Sequence, residues 1–263
     1  MPDAADGRDD RLSRLRRQMD DLARDHVARR PALPFGLPAL DRHLPAGGLR
    51  CGALHEVGEA GASAEYAALA ALFAAAVLAR LHGPVLWCLA RRDLFAPALL
   101  TVGLDPARVL FADTGSDRHV LPAMEEGLHT RGLCAVVGEV ARLDLTASRR
   151  LQLAAERTGV LVVAVRRHRT AAERDRAASE PGAALTRWRV SPRPGAGPPR
   201  SGAAPPGLPR ARWLVELTRA RGMGAPHSWI VDAPDATGRL RLPADLAYRP
   251  VAAAIPVPRT RVG

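Results

Sequence analysis

Apolar residues recur in this chain with two different periods, and the switching between those periods lays out a fold. Leu12, Leu15, Met19 and Leu22 repeat at spacings of three and four, which predicts a helix with one apolar stripe. The ten acidic-rich residues before it are expected to be disordered. Pro31 and Pro34 end the stripe and begin an extended linker. Beyond the linker, short apolar runs alternate with longer helical stretches. Strands are predicted over 53–57, 85–89, 108–112, 133–137 and 160–165. Helices are predicted over 65–82, 94–102, 120–130 and 146–158, with Pro122 in a first turn, where it is tolerated. Continuous apolar strands between helices imply a parallel sheet covered on both faces, with right-handed crossovers.

After residue 169 the pattern changes. Residues 170–182 are polar and of mixed charge, and read as a loop. Strand-like alternation returns over 185–190, 212–219, 227–232 and 239–242, as an antiparallel extension of the sheet. Between them, 191–210 carries seven prolines and four glycines and reads as an extended loop. The predicted class is therefore α/β, a mainly parallel central sheet flanked by helices with an antiparallel C-terminal extension. Three regions follow: an N-terminal helix and linker (1–32), a core (33–243) and a tail without periodicity (244–263).

Composition narrows the chemistry. Apolar residues make up 47% but aromatics only 4%, so the core is built of Ala, Leu and Val. No run of 18 uninterrupted apolar residues occurs, and no membrane span is expected. The acidic N-terminus does not suit a secretory signal, and the cytoplasm is the expected compartment. Cys51, Cys88 and Cys134 form no C-x-x-C pair, which argues against zinc-finger and thioredoxin chemistry. All 38 basic residues are arginine, and the chain contains neither lysine nor asparagine, as GC-rich coding would produce. Schiff-base and kinase-type lysines are excluded by that count. The formal charge of +11 points to a polyanionic partner, DNA first.

The stretch around the first core strand organises the rest. An apolar strand enters a turn that reads Gly58-Glu-Ala-Gly61-Ala-Ser63-Ala64-Glu65, and the turn opens into an Ala/Leu-rich helix. That is the layout of a phosphate-binding loop, in which backbone N–H groups and a helix N-terminus hold an anion. The Gly-Lys-Ser/Thr that finishes such a loop is missing, so no cofactor is expected. His55, Glu56 and Glu59 have no metal-ligand spacing. Ser63 fails as a nucleophile elbow because Glu65 stands where the last Gly should be. Arg166, Arg167 and Arg169 leave the fifth strand at its C-terminal end, and Arg187 and Arg189 flank Trp188. Arginine beside tryptophan can grip single-stranded DNA, so these six are candidate DNA-binding residues.

The order of elements resembles the RecA-type core over roughly 33–243. "GLPALDRHLPAGGLRCGALHEV" is similar to the lead-in to the RecA phosphate loop, and "VGLDPARVLFADTG" and "CAVVGEV" resemble the following segments. With "GEAGASAE" and "VAVRRHR", the combination most resembles the ImuA family, RecA/SulA-like accessory proteins of inducible mutagenic translesion synthesis. On that resemblance Ala64 stands at the phosphate lysine and Glu65 at the magnesium-binding hydroxyl. Arg91 stands at the catalytic glutamate, Gly138 at the Walker B aspartate with Glu139 beside it, and Arg166 and Arg167 near the nucleotide-sensing glutamine. The implied activity is non-catalytic, through contacts with a Y-family-like cassette protein, an error-prone polymerase α subunit and RecA, with weak DNA binding. The competing readings are a RecA/KaiC-type NTPase and a SulA-like division inhibitor.

RecA protomers dock on a neighbour through an N-terminal helix and linker, and the stripe Leu12, Leu15, Met19, Leu22 suits the same use. Four such side chains could contribute roughly 1.5–3 kcal/mol each before ordering costs. The double change Leu15→Asp with Met19→Asp is expected to abolish partner binding, read by co-precipitation, while the thermal midpoint of the body holds. A sharp fall in that midpoint would instead place the helix in the protein's own core.

Overall fold

The computed structural model describes residues 31–61, 66, 68–168, 170–195, 211–222 and 225–243 of the 263-residue chain. The stripe Leu12, Leu15, Met19 and Leu22, the loop residues Ser63, Ala64 and Glu65, Arg169, most of 191–210 and the tail 244–263 lie outside the described residues.

The segment after Pro31, read as a free linker, is tied to the body. Strand β1 (Ala32–Leu33) pairs antiparallel with β2 (Leu49–Arg50), and the Cys51 N–H donates to Pro31 O at 3.0 Å. Gly48 makes this pairing possible, since a Cβ there would lie 2.6 Å from the carbonyl carbon of Leu33. Between the two strands, helix α1 (Pro38–Asp41) follows a turn that Asp41 holds closed. The Asp41 carboxylate accepts backbone N–H bonds from Phe35, Gly36 and Leu37 at 2.7, 2.9 and 3.0 Å. Three otherwise orphaned donors are satisfied by one side chain, which is the local reason for a Leu-Asp pair in this lead-in.

The main sheet contains β3 (Leu54–Glu59), β4 (Val85–Leu89), β5 (Val109–Asp113), β6 (Ala135–Val140), β7 (Leu161–Arg166), β8 (Thr186–Arg193), β9 (Arg212–Ala220) and β10 (His227–Asp232). Their spatial order is β10-β9-β8-β3-β7-β6-β4-β5. From β8 through β5 every pairing is parallel, while β8–β9 and β9–β10 are antiparallel. The mainly parallel sheet with an antiparallel C-terminal extension is thus the architecture of the chain.

Alternate residues of the central strands point to opposite faces, and both faces are apolar. Val57, Val137, Val163 and Val165 join one core with helix α2 (Leu69–Ala79), whose small residues Ala70, Ala71, Ala74, Ala75 and Ala76 are all buried. Leu54, Val136, Val162 and Ala164 join a second core with α3 (Asp117–His129) and α4 (Leu145–Thr158). Cys88 lies in that second core, where burial pushes its thiol up to about 12. Among the described residues no helix is long and apolar enough to cross a membrane.

Several elements depart from the sequence reading. Residues Ala96–Val102 form a 3-10 helix, with Pro97 in its first turn and Gly103 (φ 87°) ending it in the left-handed region. Helix α3 begins at Asp117, so Pro122 lies in its second turn rather than its first. The stretch 170–182 contains a helix, α5 (Ala171–Ser179). Thr170 caps it by accepting from the Glu173 N–H at 3.1 Å, and Thr-x-x-Glu is the sequence signature of such a cap. Strand β8 runs on through Pro192, which faces Trp213. Residues 239–242 contribute only a bridge from Arg241 to Asp232.

Gly138 is a packing residue. A Cβ there would lie 2.1 Å from Sδ of the fully buried Met124 on α3. Gly138→Ala is expected to cost about 1–3 kcal/mol through overpacking, read as a lower midpoint in urea unfolding. Adding Met124→Ala should recover part of that loss, so the double-mutant cycle will be non-additive.

Candidate functional site

The C-terminal ends of β7, β3 and β8 lie side by side, at the edge where doubly wound sheets take their ligands. Glu56, only 1% exposed, faces Ala164 on one neighbour and Arg187 on the other. Arg166 Nη1 donates to Glu56 Oε2 at 3.1 Å, and Arg187 Nη2 donates to Oε1 at 3.2 Å. The two guanidiniums divide one carboxylate between them. Glu180 adds a second negative charge, 3.5 Å from Arg166 Nη2. Arg187 also donates to the carbonyls of Ala177, Ala178 and Glu180, at 3.3, 3.2 and 3.2 Å. A cation on the last-turn carbonyls is what a helix C-terminus favours, so Arg187 fixes α5 over the strand ends.

The other candidate arginines are also engaged. Arg167 donates to Asp93 at 2.7 Å and lies 3.6 Å from Glu139, which accepts from Trp87 Nε1 at 3.1 Å. Burial raises the Glu139 pKa, and Arg167 and the Trp87 bond oppose that rise. Arg189 and Glu216 form a two-pronged pair, both bonds 2.7 Å, and that bond raises the arginine's pKa. The stacking role expected of Trp188 is corrected. Its side chain is 1% exposed, its Nε1 donates to Thr186 Oγ1 at 2.8 Å, and its ring packs 5.4 Å from Phe35 and 5.7 Å from Phe73. Arg166, 4% exposed and paired with Glu56, is not free on the surface to grip the length of a DNA strand. Strand geometry explains the first result, since Trp188 and its arginine neighbours point to opposite faces, and pairing with Glu56 and Glu180 explains the second.

The group His55, Glu56 and Glu59 is not a metal centre. Among the described residues no cluster of three His, Cys, Asp or Glu could hold an ion. Both nitrogens of His55 are taken. Nε2 donates to Arg50 O at 2.9 Å, and Nδ1 then accepts from Thr186 Oγ1 at 2.7 Å. The hydroxyl of Thr186 accepts from Trp188 in turn, so only the neutral Nε2–H tautomer satisfies every group. Burial holds the His55 pKa down at about 4.

Of the turn after β3, the described residues are its two flanks. Gly58 sits between Arg166 and Arg189 in the ladders, and the Ala60 N–H bonds to Val190 O at 3.0 Å. Gly61 packs under Tyr66, whose ring would lie 2.4 Å from an added Cβ. Helix α2 then starts at Ala68, a left-handed residue (φ 69°) with no side-chain cap. The N–H groups of Ala68 and Ala70 at its start favour the charged form of the Glu59 carboxyl, yet Glu59 Oε1 is buried without a hydrogen-bond partner. Burial pushes Glu59 up to about 7, opposed by Arg167 and those N–H groups and reinforced by Glu139.

Beside this turn is a cavity of about 300 Å³, onto which Arg166, Arg187 and Arg189 open together with His168, Arg174 and Arg219. The sequence reading missed His168 and Arg219. They are far apart in the chain, and only the β9 register brings Arg219 opposite Arg187.

No family model matches the chain. It is 39% identical over 237 residues to "Protein ImuA" of Caulobacter vibrioides (strain NA1000 / CB15N), covering 85% of this chain and 93% of the relative. The protein of the same name from strain ATCC 19089 / CIP 103742 / CB 15 gives the same identity and coverage. In three dimensions the chain is similar to the crystal structure of the RadB recombinase, with a TM-score of 0.51 at 14% identity, covering 80% of this chain and 99% of that one. Fold and site together define a RecA-like α/β protein whose phosphate loop has no lysine. Its sequence is closer to one branch of that class than the fold alone would tell, and the chain belongs to the ImuA family.

The two perturbed groups act on stability in opposite directions. The native state keeps the Glu59 proton up to about pH 7, after the unfolded chain has released it, so stability falls as pH rises from the ordinary 4.5 towards 7. His55 resists its proton down to about 4, so stability falls as pH drops from the ordinary 6.5 towards 4. Glu59→Gln is therefore expected to raise the thermal midpoint at about pH 8 and leave it nearly unchanged at about pH 5.

Proposed function

We propose that this protein is a non-catalytic RecA-like accessory factor of an SOS-induced, error-prone translesion-synthesis cassette, working through protein contacts. The observation that carries the reading is the absence of any lysine in a chain with a phosphate-loop layout. Ala64 and Glu65 cannot supply the cation and the hydroxyl that hold a nucleotide's phosphates and magnesium. Two features of the described residues support it. Glu59 places a carboxyl before the N-terminus of α2, where a phosphate would otherwise be attracted. Met124 fills the space that an acidic side chain at position 138 would need.

A role by contact needs surface. Among the described residues strand β5 is an edge of the sheet, paired only with β4, and it exposes Leu110 and Phe111. The segment before it in the chain exposes Phe95 and Leu100, at 70% and 53%. An unpaired strand edge with large apolar side chains is a template for a partner. The partners this reading assigns are the Y-family-like cassette protein, the error-prone polymerase α subunit and RecA. The charge of +11 adds a weak, sequence-independent attraction to DNA.

The tagged chain, drawn from DNA-damaged cells, is expected to retain translesion polymerase components, and Leu110→Asp with Phe111→Asp to lose them at an unchanged thermal midpoint. Purified protein is expected to turn over no ATP above an Arg91→Ala control, with DNA present. DNA-stimulated turnover above that control, or recovery of the division GTPase in place of the polymerase components, would reject the reading.

A further inference from the structure

The cavity beside β3 and β8 has a composition that its neighbours do not explain. Five arginines and a histidine line it, against the carboxyls of Glu56 and Glu59. Both oxygens of Glu56 are already engaged by Arg166 and Arg187. The rest of the polar wall is mostly N–H donors, with one carboxyl oxygen, Glu59 Oε1, buried beside them without a hydrogen-bond partner. Arg166 Nε and Arg187 Nε are buried and have no acceptor. The side chain of Arg166 is only 5% exposed, so water does not readily serve in place of one. Orphaned donors on a buried cation are costly unless a ligand completes them.

Charge accounting singles out one residue. Arg166 and Arg187 are balanced by Glu56 and Glu180, Arg189 by Glu216, and Arg174 by Asp175. Arg219 is exposed at the rim and donates to Gly182 O at 3.0 Å, and among the described residues no carboxylate pairs with it. A bulge opposite Arg187 and Trp188 reshapes the ladder here, and Thr218 fixes it by donating to Arg187 O at 3.0 Å. The walls are held from several elements. Arg174 on α5 donates to Ala60 O at 2.8 Å, which closes the helix against the turn after β3. The result is a braced pocket of about 300 Å³, the low end of the range for small-molecule sites.

We propose that this cavity is an oxyanion site for a phosphate monoester, with Arg219 as the free cation at the rim and the Arg166 and Arg187 donors behind it. Guanidiniums converging from three strands and a helix match a tetrahedral group with three terminal oxygens better than a planar carboxylate. The site does not use the lost loop lysine. It also stands independently of the protein-contact reading, since it could be occupied whether or not the chain captures a polymerase. The same chemistry could reach the pocket as a free phosphate-bearing molecule or as the 5′-phosphate of a DNA end.

Isothermal titration of the full-length protein with inorganic phosphate, at ionic strength matched by chloride, tests the proposal. One saturable site is expected. Arg219→Gln should weaken it by about tenfold, the scale of one charge-assisted bond. Glu59→Gln should tighten it, because it removes the opposing carboxyl. Arg150→Gln, an exposed arginine on α4 paired to Glu125, should leave it unchanged. A 5′-phosphorylated single-stranded decamer is then compared with its unphosphorylated twin. A gain from the phosphate that Arg219→Gln removes assigns the site to DNA ends. Equal binding of the two decamers, with inorganic phosphate still bound, assigns it to a free molecule. No saturable heat with phosphate, or an Arg219→Gln protein that keeps its circular dichroism and titrates like the parent, overturns the proposal.

Discussion

A carboxylate buried to 1% exposure has to be neutralised where it sits, and Glu56 sits in the middle of the sheet. The cost of leaving such a charge unpaired is about 3–5 kcal/mol, comparable with the whole stability of many domains. Arg166 and Arg187 therefore have to converge on it from the strands on either side. That requirement sets much of what surrounds it. It fixes the ends of β7, β3 and β8 in one register, and it turns Arg187 towards the last carbonyls of α5. The helix is thereby laid across the strand ends, and the space beneath it is lined with the remaining guanidiniums. The protein has kept the ligand-binding edge of its fold but filled the middle of it with its own ion pairs.

How far the sequence revealed this depends on the kind of signal. The parallel sheet was legible because buried strands such as Leu161–Arg166 are apolar at every position but the last, and few other elements look like that. The missing loop lysine was legible because a residue type that never occurs cannot be misplaced. Helix α5 was not, although Thr170-x-x-Glu173 announced its cap, because the charges of both signs that follow resemble those of a solvated loop. The arginines were found, but not the carboxylates that hold them. Composition says that Arg166 and Arg187 carry charge, and only the ladder says that Glu56 lies between them. For Trp188 the period of two was available, and it places the ring opposite its arginine neighbours. The attraction of an Arg-Trp-Arg triplet obscured it.

Loss of the loop lysine and retention of the fold are physically separable here. The cores on the two faces of the sheet involve Val, Leu and Ala side chains from the strand bodies, whereas the residues that would handle phosphate belong to strand ends and turns. Gly138 shows the two becoming coupled. Once Met124 packs against a residue without a side chain, an aspartate at that place would have both volume and charge to accommodate. Packing alone then disfavours an acidic side chain at that place.

The neutral imidazole of His55 has a mechanical consequence. Its ring joins the carbonyl of Arg50 in the small ribbon to Thr186 of β8 from a position on β3, the strand paired on both sides. The lead-in is thereby anchored away from the sheet's outer strands, and displacing the ribbon has to break a buried bond at the centre of the sheet.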